Sequence, residues 1–113
     1  MVQNRKKLIE LFIGNISNAV VHEILEKATN DEEISSKYQK EINISFNKAK
    51  EYREKINPEH LPLPEKDVEH IKYQIRNKVM SKLNQRISQR YENIDLNLIE
   101  GLIDKFLKNT DII

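Results

Sequence analysis

Between Arg5 and Ala28 the chain reads RKKLIELFIGNISNAVVHEILEKA, and this stretch decides the fold. Leu8, Ile9, Phe12, Ile13, Ile16, Val20 and Ile24 recur at mostly three- and four-residue steps, which places them on one face of an α-helix. A strand would alternate apolar and polar residues, and no such alternation occurs here or further along. A second line, Leu11, Gly14, Asn18, Val21 and Leu25, follows the same spacing on nearly the opposite side. Helix one therefore carries more apolar surface than a single neighbour covers. Two arrangements meet that demand. Either helix one sits centrally among the other helices, or the second line is the seam of a symmetric homodimer, with Gly14 permitting close approach and Asn18 setting register.

Working outward, Thr29, Asn30 and Asp31 interrupt the pattern, and Asn30 followed three residues later by Glu33 reads as a capping box. Helix two is expected over residues 31–56. Its seam is Ile34, Tyr38, Ile42, Ser45 or Phe46, Ala49, Tyr52 and Ile56, close to heptad spacing, and Asn57-Pro58 stops it. The segment 57–64, NPEHLPLP, contains all three prolines and is the one real loop. Its Leu61 and Leu63 either cap the end of the bundle or form a stiff apolar tooth for a partner. Helix three is expected over 65–92 with Val68, Ile71, Ile75, Val79, Leu83, Ile87 and Tyr91 on its buried side. Ile94 and Ile99 bracket Asp95 as a hydrophobic staple around an N-cap, so helix four runs over 95–108. The pattern predicts a single all-α domain across 1–113: a four-helix bundle of three long helices and a shorter C-terminal one, open to dimerisation through helix one.

Composition narrows the function classes. The 113 residues include no cysteine, which removes disulfides, thiolate nucleophiles and Cys-ligated metals and fits a reducing, cytoplasmic setting. The basic start, Met1 to Lys7, leads into apolar residues interrupted by Glu10, Gly14, Asn15 and Asn18, unlike a signal peptide. No unbroken apolar run approaches the ~18 residues of a membrane span, so no membrane partner is expected. A net charge of +1 means that any electrostatic choice of partner must be local.

Three histidines, His22, His60 and His70, offer the route to metal or acid–base chemistry. His22-Glu23-Ile24-Leu25-Glu26 matches H-E-x-x-H only at its first two letters, because Glu26 stands where the second histidine belongs. His22 with Glu26, and Asp67 with His70, share helix faces, but a di-metal bundle requires further ligand sets that the chain lacks. Ser17, Ser35, Ser36, Ser45, Ser81 and Ser88 all fall inside expected helices, with no G-x-S-x-G elbow. Two glycines cannot build a phosphate-cradling loop of the Walker or dinucleotide type. The expectation is a non-enzyme with no catalytic residue, no cofactor and no metal.

The strongest local charge signal lies from Ile71 to Tyr91, which holds Lys72, Arg76, Lys78, Lys82, Arg86 and Arg90 and no acid. Lys78, Lys82, Arg86 and Arg90 form a ridge with four-residue spacing, a layout that tracks a phosphate backbone, and Tyr73 and Tyr91 could add stacking. Alternatively the bases meet acids on neighbouring helices, such as Glu41, Glu51 and Glu54 or Glu100 and Asp104, in pairs worth ~0 to 1 kcal/mol each. A pI near 7.9 lacks the excess of base found in a dedicated nucleic-acid binder. The expected role is an interaction or assembly protein that self-associates through helix one and holds another protein. A nucleic-acid-binding module acting through the helix-three ridge is the alternative, and a metal-dependent bundle enzyme is third.

Overall fold

The computed structural model describes residues 4–59 and 61–113. Helix α1 spans Arg5–Lys27, α2 Glu32–Ile56, α3 Glu65–Ser88 and α4 Ile99–Asn109, with a 3₁₀ turn at Leu96–Leu98 leading into α4. Among the described residues there is no strand, and the chain is an all-α four-helix bundle.

The helix ends are set by local hydrogen bonds. Asn4 caps α1 by accepting the Lys7 N–H at 2.8 Å. Asp31, one residue later than the expected Asn30, caps α2: its Oδ1 accepts the N–H groups of Glu33 and Ile34 at 2.9 and 3.1 Å. A carboxylate there also gains from the helix dipole, which the neutral Asn30 would not. Asp95 accepts the Asn97 N–H at 3.0 Å, as an N-cap should, but it opens the 3₁₀ turn, and α4 proper starts at Ile99.

Helix α3 stops four residues short of the expected 92. Arg90 adopts a left-handed backbone (φ 69°), the Tyr91 N–H donates to the Arg86 carbonyl at 3.1 Å, and the Arg90 N–H donates to that of Ile87 at 2.9 Å. This is a Schellman closure without glycine. A left-handed residue bearing a Cβ costs about 1–2 kcal/mol. Arg86 offsets part of that by donating to the Tyr91 hydroxyl at 3.0 Å, with its guanidinium 5.1 Å from the ring centroid. Helix α4 ends the same way at Asp111 (φ 58°), where the Ile112 N–H donates to the Leu107 carbonyl at 2.9 Å and the Ile112 side chain turns back into the core.

Directions follow from the cross-helix contacts. Glu26 accepts from Ser35 and His22 stacks on Tyr38, so α1 and α2 are antiparallel. Arg5 pairs with Asp67 and Lys82 donates to Asn18, so α1 and α3 run parallel. Arg76 with Glu100 and Lys72 with Asp104 make α4 antiparallel to α3. Helix α1 meets all three others, whereas α2 and α3 barely touch. Consecutive helices are therefore not all neighbours: α3 lies beside α1 rather than α2.

The core has α1 at its centre. Phe12, Ile16, Val20 and Ile24 pack with Ile71, Ile75, Val79 and Leu83 of α3 and Ile103 and Leu107 of α4, all essentially inaccessible. Helix α2 buries only Ser45, Ala49 and Arg53 and packs against the core with the half-buried Tyr38, Ile42, Phe46, Tyr52 and Ile56, of which Phe46 reaches Phe106 of α4 at 5.4 Å between ring centroids. By length and composition α1 is apolar enough to cross a membrane, although it lacks an unbroken apolar run; here most of that surface is covered by the other helices. Leu63 is buried at the end of the bundle and Leu61 is exposed.

Candidate functional site

Helix α4 closes one side of the α1–α3 pair, and the other side is an open groove. Its floor passes from Ile9 and Ile13 of the first line of helix one, near the start, to Val21 and Leu25 of the second line further along. Val21 and Leu25 are 4% and 2% exposed within the single chain, whereas Leu11, Gly14 and Asn18 are half-buried. The proposed dimer seam is therefore corrected in its C-terminal half: Val21 and Leu25 are part of the chain's own core and are not free to meet a second copy. No heavy atom lies within 4 Å of a Cβ built on Gly14, so within the chain its lack of a side chain serves no close approach.

One wall of the groove is the α3 ridge. Lys78, Lys82 and Arg86 stand on successive turns, and none of them forms an ion pair with an acid among the described residues. Arg90 does not continue the line, because the left-handed turn lies beyond the last residue of α3. The other two bases of the acid-free run that lie in α3 are paired with acids: Arg76 forks onto Glu100, and Lys72 sits 3.9 Å from Asp104. That hydrogen-bonded pairing raises the Arg76 guanidinium and lowers the Glu100 carboxyl from their ordinary values. The acid-free run of the sequence therefore divides into a paired side facing α4 and an unpaired side along α1. Tyr73, 58% exposed, lies about 140° round the helix from Lys78 and belongs to neither.

Three hollows mark the groove. Near the start of both helices a cleft of about 540 Å³ has Ile9 and Ile13 as its apolar lining, with Arg5, Lys6 and Lys78 but also Glu10 around it, and the Arg5–Asp67 pair and exposed His70 at one edge. Further along, a recess of about 300 Å³ is lined by Asn18, Val21, His22, Lys82, Gln85 and Arg86. At the far end Leu25, Ile34, Tyr38 and Tyr91, together with the polar Thr29, Glu92 and Asn93, border a mixed hollow of about 260 Å³. Burial and the neighbouring Lys78 push the Lys82 ammonium down, as expected of cations crowded on a partly dry surface.

His22 is the least expected member. Its ring stacks on Tyr38 at 5.8 Å, and its buried Nδ1 makes no well-formed hydrogen bond, with the Asn18 backbone as a weak acceptor. Burial lowers its basicity first; Glu41 of α2 pulls it back up, and Arg86 and Lys82 of α3 press it down. The folded state therefore resists a proton that the unfolded chain takes up below about pH 6.5. Stability contributed by neutral His22 is complete above that value and is lost as pH falls through the lower folded value. The expected result is a larger fall in the urea midpoint between about pH 7.5 and pH 5.5 for the wild type than for His22→Gln. Equal falls would contradict it.

The candidate ligand pairs do not assemble. Glu26 is engaged by Ser35 and Gln39 rather than His22, Asp67 by Arg5, and among the described residues no three His, Asp or Glu side chains converge. His60 lies outside the described residues. Residues that the spacing did not single out are Arg53, buried at the bundle end, and Gln85, a wall of the His22 recess, while Asn18, singled out as a seam residue, forms another of its walls. No protein-family model, no curated protein and no solved structure matches the chain.

Proposed function

We propose that the chain is a non-enzymatic interaction module that holds an acidic, amphipathic segment of another protein along the groove between α1 and α3. The observation that carries this reading is the run Lys78, Lys82, Arg86, ion-paired with no acid among the described residues and set beside an apolar floor. Unneutralised cations steer an acidic partner, and the hollow bordered by Leu25, Ile34 and Tyr91 receives its apolar side chains.

A second copy fits the groove less well. A twofold contact centred on the floor sets one basic ridge against the other, a like-charge juxtaposition. Nucleic acid fits less well too. The ridge is three cations long rather than four, Tyr73 lies off it, and the Tyr91 ring is already covered by Arg86.

The test is a titration with a synthetic helical peptide bearing leucines on one face and glutamates on the other, followed by amide chemical shifts. Shifts are expected to cluster at 18–25 and 78–92 and to shrink with salt. Affinity is expected to fall at least about tenfold in the Lys82→Glu, Arg86→Glu double variant. Shifts scattered evenly over the surface, or tighter binding of a DNA oligonucleotide at the same ridge, would reject the reading.

A further inference from the structure

We propose that the recess bounded by Asn18, His22, Lys82, Gln85 and Arg86 is an oxyanion site that takes up a proton at His22 when it fills. The first part rests on its walls. Apart from Val21, every lining residue has N–H groups to donate, two of them carry fixed positive charge, and no acid lines the recess. Asn18 Oδ1 accepts from Lys82, which leaves the Asn18 amide N–H groups for another acceptor. Arg86 uses one terminal nitrogen on Tyr91 and retains the rest of its fork. A carboxylate or a phosphate has the complementary chemistry: acceptors only, and negative charge.

The second part rests on what surrounds the imidazole. Lys82 and Arg86 face it from α3, Glu41 and the Tyr38 ring from α2, and the Asn18 backbone, a turn back on its own helix, weakly accepts from the ring and favours its proton. Glu41 favours the imidazolium, while Arg86 and Lys82, both walls of the recess, oppose it. An anion held between Lys82 and Arg86 offsets their field at the ring, so the proton becomes easier to take up. Proton uptake and anion binding then reinforce each other, as linkage requires. This deepens the groove reading by naming the chemical group of an acidic partner that is seated at this point.

The experiment follows the His22 ring resonances from about pH 5 to pH 8 in sodium sulfate and in sodium chloride of equal ionic strength. Sulfate does not titrate in this range. The expected result is a higher midpoint for His22 in sulfate and sulfate binding at least about threefold tighter near pH 5.5 than near pH 7.5. The response should be absent in the Lys82→Gln, Arg86→Gln double variant, and the pH dependence absent in His22→Gln, which still binds sulfate. Identical His22 titrations in the two salts, or a response that survives the double variant, would overturn the proposal. Parallel titrations with acetate and phenyl phosphate distinguish a carboxylate preference from a phosphate one. The two readings fail separately. Sulfate binding without binding of the glutamate-faced peptide keeps the site and rejects the groove. Peptide binding that leaves His22 unmoved keeps the groove and rejects the site.

Discussion

Replacing Arg53 with alanine is expected to lower stability by about 3–4 kcal/mol, a melting temperature loss of roughly 10–20 °C for a domain of this size. Arg53 is the largest side chain with no accessible surface, yet it stands in a helix whose other faces are polar. Its guanidinium joins three parts of the chain. It donates to the Asp111 carbonyl from Nε and one terminal nitrogen at 3.3 and 3.0 Å, to the Leu61 carbonyl at 3.2 Å, and to Asn57 Oδ1 at 2.6 Å. Asn57 also donates to the same Leu61 carbonyl at 3.1 Å. Burial works against the charged guanidinium, and Asp111 partly restores it. Truncation removes the donors and leaves a void, and carbonyls stranded away from water cost about 1–3 kcal/mol apiece. Arg53→Met, which keeps much of the volume, separates the two contributions and is expected to cost about 2–3 kcal/mol. Arg53→Lys has no planar fork to serve several acceptors and should fall near Arg53→Met. Denaturant melts supply the values, and amide exchange at Asp111 and Ile112 should quicken before the rest of the fold. A loss below about 1 kcal/mol for Arg53→Ala would show that the carbonyls find water instead.

The same residue shows where reading the sequence stops. The helices were legible because apolar side chains at three- and four-residue spacing have to share a face, and the prolines and polar clusters mark the joints. Residues 65–92 correctly read as one helix except at its end, where Arg90 takes the left-handed position usually signalled by glycine. Nothing in the local sequence marks that closure; the Arg86–Tyr91 contact that favours it becomes visible only in three dimensions. Arg53 was likewise illegible, because an arginine at a helix position reads as solvent-facing until a loop and a chain end are known to converge on it. The basic run was legible as a run but not in its division. Which lysines meet Glu100 and Asp104, and which stay unpaired along α1, depends on where α4 packs. The second apolar line of helix one was visible from spacing alone, whereas what covers it was not. Spacing reports that a face needs shelter; whether the shelter is another helix of the same chain or a second chain is a matter of topology.

That distinction yields the other large effect: Leu25→Glu is expected to unfold the protein rather than separate two copies of it. Leu25 is 2% exposed and belongs to the main apolar cluster. A carboxylate there must either be desolvated without a partner or stay neutral at the cost of a raised pKa, and both routes consume most of the stability of a small domain. Leu25→Ala, which introduces no charge, should remain folded with a loss of about 2–5 kcal/mol. Val21→Glu is a weaker probe, because Lys82 and Arg86 line the same recess and can reach a carboxylate placed there. Leu11 is different. It is half-buried rather than part of the core, so Leu11→Glu should cost less than about 1 kcal/mol and leave the helical signal unchanged. The three variants divide the second line of helix one by function. If its half-buried part, Leu11, Gly14 and Asn18, joined two copies, Leu11→Glu would yield a folded monomer from a wild-type dimer in light scattering. With the basic ridges opposing a twofold contact, the expected result is a single mass for both proteins. A folded, soluble Leu25→Glu protein would show that this flank of helix one is not the core surface its burial indicates, and with it would go the central placement of α1 on which the groove depends.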